Sequence, residues 1–195
     1  MGRTILIEGI MENATELNRK LANIIANWID NKDAKFTTTI KNPLYEFKLI
    51  YCGSRDGINN NSFKNKCNGR LPSLVLIKAK KSNKIFGGYS SIGFSSLGDQ
   101  CLIENNIRYY YSSDNFIFSF ENSEDIQNMK IGRVINKSKA ILETRDGCGF
   151  NFGWGSFCMD NQAFQINNRN NYKNILKSNL AGTIDEIEAF IVTKQ

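Results

Sequence analysis

The sequence predicts an α+β fold: a mainly antiparallel, two-layer β-sandwich flanked by helices. Three observations lead there. Helical periodicity is concentrated near the N-terminus, the strand-like runs after it are short and mostly local, and no repeat of fixed period joins them into a solenoid. With 195 residues the chain suits a single compact domain, and 41% hydrophobic against 23% charged residues is enough to close a core. The expected division is an N-terminal helical segment over residues 1–35 packing on a β-sandwich over residues 36–195.

The first element is a helix over residues 14–29. Ala14, Leu17, Leu21, Ile24, Ile25, Trp28 and Ile29 recur at three- and four-residue steps. Asn13 before the run and Glu16 three residues on approach a capping box, and Asp30-Asn31-Lys32-Asp33 ends it. After Pro43 the period changes to two: Tyr45, Phe47, Leu49 and Tyr51 alternate with Glu46, Lys48 and Ile50, a half-buried strand. Ser54-Arg55-Asp56-Gly57 reads as a turn in which Asp accepts backbone N–H bonds and Gly takes positive φ. Residues 60–67 suit a short helix with Phe63 and Cys67 on one side.

Leu71-Pro72 opens a strand over 73–78. The next strand, 84–90, contains Gly87-Gly88 followed by Tyr89. A glycine pair packs nothing in a strand interior, so it predicts a bulge or a close approach of another backbone. Residues 92–112 read mostly as loop. Phe116, Phe118 and Phe120 share one face of a strand over 115–120. Residues 130–135 and 139–144 are expected to pair as a hairpin around Asn136-Lys137-Ser138. Residues 161–183 look like Asn-rich surface loop with a helical turn near Tyr172 to Leu176, and Ile187 to Thr193 is the last strand.

The second glycine-rich stretch, Gly147 to Gly155, lacks G-x-G-x-x-G spacing and a following G-K-[ST], which argues against a nucleotide site. Its aromatic and glycine alternation suits a tight loop whose rings plug the end of the sheets.

Composition excludes several chemistries. The chain has no histidine, which removes Ser-His-Asp and Cys-His catalysis and the usual zinc hydrolase sites. Asp56, Asp99, Glu104, Glu143, Asp146, Asp160 and Asp185 are available for acid–base work, but no local pattern selects a pair. Five cysteines, at 52, 67, 101, 148 and 158, are odd in number with no C-x-x-C pair, so no disulfides and no zinc site are expected. No cofactor or metal is expected. Net charge is +6, with lysines clustered only at 78, 80, 81 and 84, a solvated hairpin turn; no nucleic-acid module is present. No apolar run suits a membrane helix or a signal peptide, so an intracellular, cytoplasmic protein is expected.

Several of these stretches, in order, resemble the TLDc domain family, the module of the oxidation-resistance proteins. They are Asn42-Pro43 with Phe47 to Tyr51 and Ser54-Arg55-Asp56-Gly57; Ser62-Phe63 with Lys66-Cys67-Asn68; Leu74 to Lys78 with Phe86-Gly87-Gly88-Tyr89; Asn115 to Phe120; Gly149, Phe152, Gly153 and Gly155; and Glu186-Ile187-Glu188-Ala189-Phe190. The resemblance covers roughly residues 20–194. The chain departs from the family pattern at Phe94, Phe150 and Ser156, where the family carries Trp, Pro and Asp. Residues 14–33 also resemble the segment preceding the domain in proteins with BTB and BACK regions.

The resemblance implies a β-sandwich with helices and no established catalytic centre. It also implies protection against oxidative stress and, in several members, contact with the vacuolar-type proton ATPase. The expected function is therefore a non-enzymatic protein-interaction module, with Arg55, Phe94 and Trp154 as interface anchors because they lie in or beside predicted loops. Asp56, Gly57, Gly87, Gly88, Tyr89, Gly149, Phe152, Gly153, Glu188 and Phe190 are its structural motif residues. The alternatives are a substrate-selecting adaptor related to BTB-containing relatives and an enzyme using carboxylates or a thiol.

Overall fold

The computed structural model describes residues 15–31, 45–82, 84–120, 128–143 and 147–195, with the backbone alone for 15–20. The expectations at Asn13, Ala14, Asn42-Pro43 and Asp146, and at the side chains of Glu16 and Leu17, lie outside these residues.

Helix α1 spans Thr15–Ile29. Its apolar face buries Leu21, Ala22, Ile25, Ala26 and Trp28, as the three- and four-residue spacing requires. Asn31, at φ 57°, ends it in the left-handed conformation common just past a helix C-terminus, and its N–H reaches the Trp28 carbonyl. Strand β1 (Tyr45–Cys52) is followed by one helical turn, α2 (Gly53–Asp56), and by α3 (Asn60–Lys66). The residues 54–57, expected as a plain turn, thus begin helically. The Asn59 side chain caps α3 by accepting from the Ser62 N–H at 2.9 Å.

The remaining strands are β2 (Ser73–Ala79), β3 (Ile85–Ser90), β4 (Leu102–Glu104), β5 (Ile107–Tyr110), β6 (Phe116–Phe120), β7 (Lys130–Arg133), β8 (Ile141–Glu143), β9 (Phe150–Phe152), β10 (Phe157–Asp160), β11 (Ala163–Ile166) and β12 (Leu180–Lys194). All their ladders are antiparallel. One sheet runs β1-β12-β2-β3-β6-β7; the other continues from the start of β12 through β11, β10, β9, β8 and β5 to β4. Strand β12 therefore belongs to both: Leu180 to Thr183 pairs with β11, and Ile184 onward pairs with β2 and β1. The sheet curls into a β-sandwich at this strand.

Two apolar layers result. Between the sheets lie Val75, Ile77, Phe86, Ile117, Ile187 and Ala189 against Tyr110, Ile141, Phe150, Phe152, Phe157, Met159 and Phe164. On the outer face of the first sheet, Leu74, Leu76, Tyr89, Phe116, Phe118, Phe120 and Phe190 pack with α1. Each buried Phe contributes about 1.5–3 kcal/mol. A one-residue shift between Leu49 and Tyr51 in the β1–β12 register lets β1 serve both layers: Leu49 packs with the outer one, Ile50 and Tyr51 with the inner one.

Gly87 and Gly88 sit in a regular, unbulged stretch of β3, contrary to the expected bulge or backbone approach. What comes close is aromatic. A Cβ on Gly87 would overlap the Phe118 ring on the α1 side, and one on Gly88 would stand 2.6 Å from the Phe152 ring on the inter-sheet side. The missing side chains make room for one ring on each face.

Other expectations are corrected. Residues 92–112 contain a hairpin, β4–β5, turned at Asn105-Asn106 with both φ positive (51° and 63°), a two-residue turn that asparagine tolerates. Residues 130–135 and 139–144 do not pair together: β7 pairs with β6, and β8 with β5 and β9, because the chain crosses between sheets there. Within 161–183, β11 and the start of β12 are strands. Tyr172 to Leu176 is not helical; it runs beside β7, held by the Lys173 N–H to the Arg133 carbonyl at 2.9 Å. The last strand begins at Leu180, not Ile187, and reaches Lys194. Within the glycine-rich stretch 147–155, Phe150–Phe152 is strand β9 and 153–155 the turn that follows it, and its phenylalanine rings fill the inter-sheet layer.

Candidate functional site

The three expected anchors have different surroundings. Phe94 is 2% exposed and lies among Phe63, Phe150 and Phe152 at 5.6–5.8 Å between ring centroids. It is a core residue and cannot present a surface. Arg55 is exposed, but its guanidinium forks onto the neighbouring Asp56, with Nη2 to Oδ2 at 2.7 Å and Nε to Oδ1 at 3.1 Å. Asp56 also accepts the Cys52 N–H at 3.0 Å and has Lys66 at 3.7 Å. Around this knot, Ser54 N–H reaches both Glu186 carboxylate oxygens, and the Tyr51 hydroxyl donates to the Gly57 carbonyl at 2.7 Å. Asp56 and Gly57 brace the turn against the end of β1, and Ser54 ties it to β12.

The bond from Arg55 holds the Asp56 carboxyl down at about 2, helped by the Cys52 N–H and the charges of Arg55 and Lys66 against some desolvation. The folded state thus favours the ionised form. Its contribution is whole above the unfolded pKa near 4 and disappears as pH falls through about 2. Asp56→Ala is expected to lose about 1–2 kcal/mol at pH 7, mostly from the Cys52 N–H contact, since the pair with exposed Arg55 is screened. In urea unfolding across pH 2–7, the gap between wild type and variant should close between pH 4 and 2. A gap that stays constant with pH would refute the assignment.

Trp154 is placed differently. Gly153, Trp154 and Gly155 are three successive left-handed residues, at φ 54°, 55° and 85°, forming the β9–β10 turn. A bulky residue at positive φ is a genuine outlier and costs on the order of 1–3 kcal/mol. Its neighbours fix it. Asn151 Oδ1 accepts the Gly155 N–H at 2.6 Å, Asn167 donates to the Gly155 carbonyl at 3.0 Å, and Asn171 donates to the Gly153 carbonyl at 2.8 Å. The Tyr172 ring lies where a Gly153 side chain would go. The turn presents the indole at 53% exposure.

Asn171 also extends the frame, because its carbonyl accepts the N–H groups of Ile135 and Asn136. Ser112 N–H in turn bonds the Lys137 carbonyl. Buried Asn115 ties this rim inward, accepting from Ser91 N–H at 2.9 Å and the Ser112 hydroxyl at 2.7 Å. Three exposed apolar side chains stand on the frame: Trp154, Ile135 (60%) and Tyr111 (63%). The segments 111–115, 134–140, 153–156 and 167–179 that form it carry Lys137, Arg169, Lys173 and Lys177 against a single acid, Asp114, while Lys139 is paired with Glu104 of β4. None of Asn115, Asn151, Asn171, Ile135 or Tyr111 stood out as a candidate in the sequence, since Asn-rich loops give no local hint of what they bind.

Arg55 and Trp154 do not share this surface. Asn60, just past the Arg55 turn, bonds Asp160 and Asn161 in the β10–β11 turn, whereas Trp154 lies at the opposite end of β10, about 13 Å of strand away. The motif residues Tyr89, Phe152, Glu188 and Phe190 are buried, and Gly149 donates its N–H to Met159. Among the described residues, no group of three or more Cys, Asp or Glu side chains could hold a metal ion, and no helix is long and apolar enough to cross a membrane. The five cysteines are free thiols.

The architecture is thus a helix-covered β-sandwich with an aromatic interior and a braced loop rim. The chain belongs to the TLDc domain family, whose model matches residues 15–192, α1 included. A comparison with curated proteins finds no match.

Proposed function

We propose that this TLDc domain is a non-enzymatic docking module whose Trp154 rim engages an acidic surface of a partner protein. The observation that carries this reading is the exposed indole held in a conformation where glycine would be less strained. More than half of the residue faces solvent, so folding gains little from a Trp there and the strain is better accounted for by binding. Exposed Ile135 and Tyr111 on the same frame and the excess of cations around them suit an apolar anchor with a basic rim. The lack of histidine and the engagement of Asp56 and Glu186 in structural bonds favour docking over catalysis. Within the family's known roles, the partner proposed is a subunit of the vacuolar-type proton ATPase, and the physiological setting is protection against oxidative stress.

The test is Trp154→Gly. Stability in urea should stay within about 1 kcal/mol of wild type or rise, because glycine suits positive φ. Affinity for purified vacuolar ATPase should fall by tenfold or more, as for a central Trp anchor. Unchanged affinity would remove the rim from the reading; no binding by the wild type would remove this ATPase as the partner.

A further inference from the structure

The loop between β3 and β4 is nailed down from below and open above. Phe94, Ser95 and Leu97 are buried, whereas Ser96 and the residues from Gly98 to Gln100 are exposed. Other elements hold its backbone from three sides. Gly69 N–H donates to the Ser95 carbonyl at 3.0 Å and Arg70 Nε to the Leu97 carbonyl. The Tyr110 hydroxyl of β5 donates to the Gly98 carbonyl at 2.6 Å, and Glu143 of β8 accepts the Ser96 N–H at 2.8 Å. Beside this braced loop opens a cavity of about 460 Å³ lined by Arg70, Ser96, Leu97, Gly98, Asp99 and Gln100. That is the size of a small-ligand site. It shares no residue with the Trp154 rim.

We propose that this cavity binds a carboxylate-bearing ligand, gripped by the Nη groups of Arg70. The guanidinium is oriented before any ligand arrives: Nε is committed to the Leu97 carbonyl, and Cζ lies 5.6 Å from the centre of the Tyr110 ring. Both Nη groups remain, and the described residues supply no acceptor for them, nor any partner for the Ser96 hydroxyl or the Gln100 amide. A fixed planar fork with two further donors matches a carboxylate, and the ordering cost has already been met by the fold. Buried Leu97 gives the cavity an apolar floor for the body of the ligand.

The charge balance selects the anion. Asp99 at the mouth has a side chain 98% exposed and faces Arg108 at 3.7 Å, so it leaves Arg70 unpaired. One guanidinium beside one acid suits a ligand with a single negative charge. A dianionic phosphate would meet repulsion from Asp99 with Arg70 alone to offset it.

The test follows backbone amides of the isotope-labelled full chain by NMR during four titrations. The probes are N-acetylleucine, its uncharged methylamide, an end-capped pentapeptide whose central glutamate is its only acid, and inorganic phosphate. The amides of Arg70 and of Ser96 to Gln100 should shift saturably with an acid probe, at a millimolar dissociation constant or tighter. The methylamide should bind about tenfold or more weakly than N-acetylleucine, as loss of a charge-assisted fork requires. Arg70→Gln should weaken the better acid by a similar factor. Tighter binding of the peptide identifies an acidic side chain of a protein as the source; tighter binding of N-acetylleucine identifies a free organic acid. The proposal is overturned if neither acid shifts these amides at millimolar concentration, if the methylamide binds as well as the acid, or if phosphate binds more tightly than both. The comparison of acid with methylamide on the wild type decides the matter even where Arg70→Gln, which also loses the bond to Leu97, disturbs the loop.

Discussion

Gly88→Ala is expected to destabilise the domain by about 1–3 kcal/mol, and the Gly87→Ala, Gly88→Ala double variant to bring it close to unfolding. The physical reason is steric, not conformational. A Cβ at position 88 would stand 2.6 Å from Cε2 and Cζ of Phe152, a fully buried ring between Phe150, Phe157 and Tyr172. A ring so enclosed has nowhere to go without moving the second sheet. On the opposite face the Gly87 position is filled by Phe118, itself packed on Trp28. The two substitutions therefore strain both layers at once. Urea unfolding of the variants measures the cost. A matching Phe152→Leu change should relieve part of the Gly88→Ala loss, with a coupling of about 0.5–3 kcal/mol in the double-mutant cycle. Strict additivity would mean that the glycine does not hold space for that ring.

This pair also shows how far sequence reasoning reached. The anomaly of two glycines in an aromatic strand was visible, and so were the strands flanking it, because alternation and β-branched or aromatic content are local properties. The identity of the occupant was not: Phe152 lies 64 residues away from Gly88, and only the curl of the sheet at β12 brings it there. The same limit explains the rejected hairpin of 130–135 with 139–144. Each segment carries a good strand pattern, but their partners, β6 and β5, are chosen by topology. In contrast, the β4–β5 hairpin had a local signal in Asn105-Asn106 that the shortness of β4 masked; its three residues, Leu102, Ile103 and Glu104, are too few to show alternation, and all are exposed. At the rim, Trp154 was legible as a large apolar residue between glycines, while burial of Phe94 was not, because position in a loop does not tell which way a ring turns.

Trp28→Ala is expected to carry the largest loss of any single change, about 3–5 kcal/mol. Trp28 is 5% exposed and is the side chain through which α1 grips the sheet: its ring meets Phe116, Phe118 and Phe120 at centroid distances of 5.9, 5.4 and 6.4 Å. Those three phenylalanines are the one-face stripe of β6, so truncating the indole opens a cavity along the length of that strand. The backbone at the same residue is anchored too, since Arg133 Nη2 donates to the Trp28 carbonyl at 2.9 Å from β7. Two residues on, Asp30 accepts the Tyr45 hydroxyl at 2.7 Å and faces Lys194 at 3.4 Å, pinning the end of α1 to the start of β1 and the end of β12. These polar ties set where the helix ends but do not fill the space beneath it. Trp28→Phe keeps most of the ring contact and should cost about half as much, whereas Tyr45→Phe, which removes only the hydroxyl, should cost about 1 kcal/mol. The ordering of the three in urea unfolding separates burial from pinning. If Tyr45→Phe proved as damaging as Trp28→Ala, α1 would be held chiefly by its polar end and not by its apolar face.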